Sequence, residues 1–275
     1  MKLGLSMWSV VSLYGKGFTV KDFAHFAAEL GVDGVELLDY FWTDKATEPN
    51  DIVKLTKRLG LDILCYSIDN DFVNADASAR EKMLDYAKRE IDLAVALGAP
   101  VIRVFSGNEK DGIDFDTGFA WIVDGLREAA TYAEEKQVVL ALENHGTFAG
   151  TSAQIERILD EVGSPALTSN FDTGNFMLCK ENPKKAMDRL AHRVGHVHFK
   201  DFRRADSSET VGVYTGVDGI RVKGTTIGAG DVDLPYIVES LKQAGYQGSL
   251  VIEYEGTGDV KEDIRKSVAY VRKLL

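Results

Sequence analysis

One rhythm constrains this chain more than any other feature. A short β-rich run ends in polar or glycine residues, a segment with helical spacing follows, and the pair repeats eight times. Lys2–Trp8, Val32–Leu38, Leu61–Ile68, Pro100–Phe105, Val138–Glu143, Leu167–Asp172, Val194–Phe199 and Ser249–Tyr254 read as strands. Val20–Leu30, Asp51–Leu59, Ser78–Leu97, Phe119–Lys136, Ser152–Val162, Pro183–Leu190, Leu234–Ala244 and Val260–Leu275 read as the helices that follow them. Thr19 suits an N-cap, and Gly31, Gly60, Gly98, Gly163 and Gly245 stand where helices stop.

Alternation of this kind argues for parallel strands joined by right-handed crossovers. Eight units in 275 residues predict an α/β fold, a single (β/α)8 TIM barrel domain over residues 1–275. An open doubly wound sheet would carry a glycine-rich phosphate loop after its first strand. Here that strand runs into Ser9-Val10-Val11-Ser12-Leu13-Tyr14.

The connection after the seventh strand breaks the rhythm. Asp201–Asp233 shows no clear helix. Val211–Tyr214 and Ile220–Lys223 alternate around Thr215-Gly216-Val217-Asp218-Gly219, which predicts a β-hairpin insertion. A long βα loop is expected to serve the site, often as a lid. Its other reading is a surface ornament or a contact within a homo-oligomer.

Charge narrows the class of partner. Asp and Glu number 43 against 32 Lys and Arg, a formal charge of −11, which argues against a nucleic-acid partner. No apolar run reaches the roughly 18–20 residues that span a bilayer. The first residues, Met1-Lys2-Leu3-Gly4-Leu5-Ser6, lack the cleavage pattern of a secretory signal. Cys65 and Cys179 form no C-x-x-C motif and are expected to be reduced thiols. These features predict a cytoplasmic protein acting on a small molecule.

Barrel active sites lie at the C-terminal ends of the strands. There the sequence places Glu36, Arg103, Glu143 with Asn144-His145, Asp172 with Thr173-Gly174-Asn175, His196-Val197-His198-Phe199-Lys200, and Glu253-Tyr254-Glu255. An ionised carboxylate on a buried strand is costly unless it is paired or holds a metal. Strands five to eight each end in a candidate ligand and are neighbours in the ring. Two glutamates, an aspartate and a histidine make a mixed oxygen and nitrogen donor set. That set suits one divalent metal ion, Mn²⁺ first, with Mg²⁺, Co²⁺ or Zn²⁺ as alternatives. Parity puts His196 and His198 on one face, and Glu253 and Glu255 likewise, so it does not choose within each pair. Depth favours His198 and Glu253.

Leu142-Glu143-Asn144-His145-Gly146, Phe171-Asp172-Thr173-Gly174-Asn175, His196–Asp201, Gly228–Leu234 and Val251-Ile252-Glu253 resemble the xylose isomerase-like superfamily of barrels, and most closely its sugar phosphate isomerase/epimerase group. That group includes ketose 3-epimerases, hydroxypyruvate isomerases, inosose dehydratases and endonuclease IV-type enzymes. The resemblance implies that Glu143, Asp172, His198 and Glu253 bind the metal and that Glu143 and Glu253 are the catalytic acid and base. It implies isomerisation or epimerisation of a small ketose by glutamate-mediated proton transfer through a metal-stabilised enediolate. A metal-dependent dehydratase or lyase acting on a keto-inositol or 3-keto sugar is the alternative.

His145, Asn175, Lys200, Glu36, Arg103, Arg204 and Trp8 are the expected substrate contacts. Asn175 stands where 3-epimerases place a histidine, so the contact there would come from an amide. Arg204, six residues after His198, resembles a substrate-contacting arginine of those enzymes. The structural alternatives are plain. Glu36 and Arg103 could pair with each other, Lys200 could pair with a carboxylate, and His196 could be a core histidine.

Overall fold

The computed structural model describes all 275 residues. The barrel strands are β1 (Lys2–Ser6), β2 (Gly34–Leu38), β3 (Asp62–Ser67), β4 (Val101–Val104), β5 (Val139–Glu143), β6 (Leu167–Asp172) and β7 (Val194–Phe199). After them come three short strands, β8 (Phe202–Arg204), β9 (Val213–Thr215) and β10 (Arg221–Gly224), and then β11 (Ser249–Ile252) closes the ring. The closed order is β1-β11-β7-β6-β5-β4-β3-β2, all parallel, so the chain is a (β/α)8 barrel.

A short helix, α1 (Val11–Tyr14), follows the first strand. The outer ring is α2 (Val20–Leu30), α3 (Glu48–Leu59), α4 (Ala77–Leu97), α5 (Phe115–Lys136), α6 (Ser152–Val162), α7 (Pro183–Leu190), α8 (Leu234–Gln243) and α9 (Val260–Val271). Each helix buries one stripe on the barrel. On α6 the stripe is Ile155, Ile158, Leu159 and Val162, the spacing of one helical face. Thr19 and Thr151 close capping boxes with Asp22 and Gln154, which satisfies N–H groups that the first turn leaves free.

Several boundaries differ from the sequence reading. β2 begins at Gly34, because Asp33 is spent as a turn: its carboxylate accepts from the Leu3 N–H at 2.8 Å. α5 starts at Phe115, where Asp114 caps the helix by accepting from the Thr117 N–H. Thr117 and Gly118 in that first turn are poor helix formers, which hid the start. α3 likewise starts at Glu48, with Pro49 tolerated in its first turn.

The expected hairpin after the seventh strand is present as β9 and β10, with Tyr214 opposite Val222. Asp218 and Gly219, at φ of 50° and 73°, supply the left-handed turn. The insertion goes further than a hairpin, because β8 pairs with the other edge of β10 to make a three-stranded antiparallel sheet. Arg203 and Lys223 both reach Glu209 and bind the insertion to itself, at 2.6 and 3.0 Å. Both cysteines are free thiols. No helix is long and apolar enough to cross a membrane.

Candidate metal centre

Four side chains meet at the C-terminal mouth of the barrel. Glu143 and Asp172 are the last residues of β5 and β6, His198 lies one residue from the end of β7, and Glu253 follows β11 directly. Asp172 and His198 are register partners, which sets them side by side. One donor atom from each of the four lies within 4.8 Å of the others, and all four residues are buried.

The surroundings fix each donor. Asp172 Oδ1 accepts from the backbone N–H groups of Gly174 and Asn175, both at 2.9 Å, which leaves Oδ2 to face the cluster. Asn144 clamps the Asp172 backbone, donating to its carbonyl at 3.0 Å and accepting from its N–H at 2.8 Å. Asn175 Nδ2 donates to Glu143 Oε1 at 3.1 Å. Arg103 Nε lies 3.1 Å from Glu143 Oε2. Lys200 Nζ lies 2.9 Å from Asp172, 2.8 Å from Glu253 and 3.1 Å from Glu255. His198 Nδ1 stands 3.4 Å from Glu143 Oε2 and 3.5 Å from Glu253 Oε2.

The electrostatics follow from burial and neighbours. Burial alone would raise Glu143 and Glu253, but His198 with Arg103 lowers the first and His198 with Lys200 lowers the second. Both are held ionised. Asp172 is pushed up to about 7 by burial, which outweighs Lys200 because Glu143 and Glu253 add to it. Burial would lower His198, yet Glu253, Glu36 and Glu143 hold it well above its usual value.

These residues fit a divalent cation. One of their buried atoms, His198 Nδ1, makes no hydrogen bond, and Asp172 Oδ2 has only the Lys200 ammonium beside it, at 2.9 Å. A buried polar atom left like His198 Nδ1 is costly unless something binds it. Carboxylate oxygens with one imidazole nitrogen are hard to borderline donors suited to Mn²⁺, Mg²⁺, Co²⁺ or Zn²⁺. A second group, Glu36, His196 and His198, also has metal-ligand composition. There Glu36 Oε2 lies 2.9 Å from Nε2 of each histidine, so hydrogen bonds already satisfy these atoms.

A cavity of about 470 Å³ opens above the cluster. Of the expected substrate contacts, Trp8, His145, Asn175, Lys200 and Arg103 line it. Trp8 Nε1 donates to Glu255 at 2.9 Å, and the exposed His145 ring packs on Phe105. Glu36 and Arg204 do not line it. Glu36 is fully buried beneath His198. Arg204 sits exposed on β8, its N–H donating to Asp231, because the insertion folds outward at that point. Arg103 pairs with Glu143 rather than with Glu36.

Other lining residues went unread in the sequence. Asp39 and Asp69 sit on loops after β2 and β3, where no periodicity marks them, and Phe202 and Tyr214 come from the insertion. The Gly228–Val232 run is structural: the N–H groups of Gly228 and Gly230 donate to the Asp201 carboxylate at 2.9 and 2.8 Å. A side chain at 230 would collide with that carboxylate, since its Cβ would lie 2.1 Å from Oδ1.

A parallel eight-stranded barrel with a carboxylate-rich candidate metal centre at its mouth defines a recognisable class. The chain belongs to the xylose isomerase-like TIM barrel family, whose model matches residues 24–274. An inosose dehydratase of Lacticaseibacillus casei is 29% identical over 185 residues, which make up 60% of this chain and 60% of that protein. The match therefore spans less than two thirds of the relative's length. Among solved structures, the probable 3-DHS dehydratase AsbF from Bacillus anthracis superposes with a TM-score of 0.79 over 99% of both chains, at 22% identity. The IOLI protein, solved with a zinc atom, superposes at 0.81 over 100% of this chain and 98% of its own, at 17% identity. At these identities the two structures speak for the fold.

Proposed function

We propose that this chain is a divalent-metal-dependent enzyme that removes the proton beside the carbonyl of a small uncharged keto polyol and expels water from the neighbouring carbon. A keto-inositol or 3-keto sugar has that chemistry. The observation that carries the reading is the centre itself. Glu143 and Glu253 flank one imidazole nitrogen, are held ionised, and border a cavity sized for a small ligand.

A divalent cation held by Glu143, Asp172, His198 and Glu253 would supply Lewis acidity toward the substrate carbonyl. The chain's own groups do the rest. One glutamate carboxylate accepts the proton from the carbon beside the carbonyl. The C–H electron pair becomes the new double bond as the C–O bond at the next carbon breaks. The proton taken up by that carboxyl is passed to the departing hydroxyl, and water leaves. Lys200 keeps its proton among three carboxylates and so acts as a fixed positive charge and donor. The cavity lining favours an uncharged substrate. Asp39, Asp69, Glu143, Glu253 and Glu255 line it, and its two cationic side chains, Arg103 and Lys200, are already paired. The dehydratase outcome is supported by the relative named for that activity.

The second reading is epimerisation or isomerisation without loss of water. It is favoured by the near-equal placement of Glu143 and Glu253 about His198, since one could take a proton and the other return it. Incubation of the metal-loaded protein in D₂O with keto-inositols and ketoses, read by NMR and mass, tests both. Loss of one water establishes the dehydratase. Deuterium beside the carbonyl with the carbon skeleton and oxygen count kept establishes the isomerase. No exchange or product with any of them rejects both.

A further inference from the structure

Outside the four-donor cluster, Glu36 is the barrel-strand carboxylate that faces neither the cavity nor solvent. It is fully buried on β2, directly below the metal centre. Its Oε1 accepts from the Ser6 hydroxyl at 2.9 Å, and Ser6 is its register partner on β1. Its Oε2 lies 2.9 Å from His196 Nε2 and 2.9 Å from His198 Nε2. The β2–β3 register shifts between Val35 and Glu36. Irregularities of this kind re-aim a side chain next to active sites.

We infer that Glu36 is a positioning residue that sets which nitrogen His198 presents to the metal. The inference rests on the metal-centre reading given above. An ionised carboxylate only accepts hydrogen bonds, so both ring nitrogens facing it must carry protons. His198 is thereby committed to Nε2–H, so the nitrogen it can free for a cation is Nδ1. That is the buried atom without a hydrogen bond, 3.4 and 3.5 Å from the two glutamates. His196 holds the arrangement from the side, its ring nearly perpendicular to that of His198, at 79°. The negative charge on Glu36 also makes the imidazole a stronger donor to a cation. A carboxylate behind a ligating histidine has this effect generally, and its removal weakens metal affinity about 10- to 100-fold. Sequence parity could place Glu36 on the interior face of β2 but not beneath the mouth, which is why it read as a substrate contact.

Glu36→Gln keeps the shape and removes the charge. Co²⁺ titrations followed by absorption should show its affinity reduced by about 10- to 100-fold, with an altered ligand-field spectrum, while the thermal melt stays cooperative. Ser6→Ala removes only the donor to Oε1 and should fall between wild type and Glu36→Gln, so it carries the test if the glutamine variant does not fold. A purely structural hydrogen bond would change the melt and leave the spectrum alone. Wild-type Co²⁺ affinity and spectrum in both variants would overturn the inference and leave the metal centre standing. A wild-type protein that binds no divalent ion would overturn both.

Discussion

Arg103 on β4 and Glu143 on β5 form an ion pair inside the barrel mouth, Nε to Oε2 at 3.1 Å, with side chains only 6% and 3% exposed. The arginine also donates through Nη1 to the Ile68 carbonyl at 2.9 Å, so it ties the end of β3 to the four-residue cluster. Removing one partner of a buried pair leaves an uncompensated charge, which costs about 3–5 kcal/mol. Arg103→Met should lower stability by that order in urea unfolding of the metal-free protein. A loss below about 1 kcal/mol would show that Glu143 finds another counter-charge, such as His198.

Glu143 and Glu253 are each asked to be both ligand and acid–base group. Glu143→Gln and Glu253→Gln should each reduce turnover by at least ~10²-fold, the scale of a positioned acid or base. The comparison belongs at saturating metal, with bound ion measured in the same samples, so that lost chemistry is separated from lost metal. A variant that holds metal and turns over at near the wild-type rate removes that glutamate from the reaction.

Acid should weaken metal binding. In the metal-free protein Asp172 is pushed up to about 7 by burial, with Glu143 and Glu253 reinforcing it, and His198 is held well above its usual value. A ligand must shed its proton to bind a cation. Both groups therefore hold protons in the metal-free state that the bound state lacks, and affinity falls as pH drops through about 7. Each unit below that value should cost about tenfold in affinity per displaced proton. Calorimetry in buffers of different ionisation enthalpy should show proton release on binding. Binding that is independent of pH between about 6 and 8 would contradict the assignment of Asp172 as a ligand.

The architecture was legible because each barrel strand is an apolar run bounded by turn residues, and each helix carries one buried stripe. The meeting of Glu143, Asp172, His198 and Glu253 at the mouth was legible for the opposite reason: each interrupts an apolar strand where burial makes charge costly. Depth was legible for His198 and Glu253, which share a level with Asp172, but not for Glu36, and folding-back was not legible. Parity gives a side chain its face but not its height, so Glu36 read as a cavity residue although it lies below His198. Arg204 sits at the right spacing from His198, yet β8 joins the inserted sheet and carries it outside the cavity. Asp39 and Asp69 occupy irregular loops, where no period exists to read. The pairing of Arg103 depends on which neighbour lies closer across the strands, which spacing does not encode.

The inserted sheet brings two aromatic side chains to the cavity, Phe202 and Tyr214. Tyr214 on β9 lines it, 39% exposed, and packs on Phe202 with ring centroids 5.5 Å apart. With Trp8 and Phe105 it gives the mouth apolar walls above a charged floor. The C–H face of a polyol ring suits such a wall, while its hydroxyls suit the carboxylates below. Tyr214 touches none of the four donor residues by hydrogen bond, so its loss should leave the metal centre intact. Tyr214→Ala should therefore raise KM by about tenfold, close to 1.4 kcal/mol of binding, with kcat and metal affinity changed far less. Arg203, Glu209 and Lys223 hold the sheet from the side away from Tyr214's neighbour Phe202, so the substitution tests the side chain and not the sheet. Steady-state kinetics on whichever keto polyol proves to be turned over would decide. An unchanged KM would make the insertion an ornament of the barrel surface, and a matching fall in kcat would place Tyr214 in the chemistry.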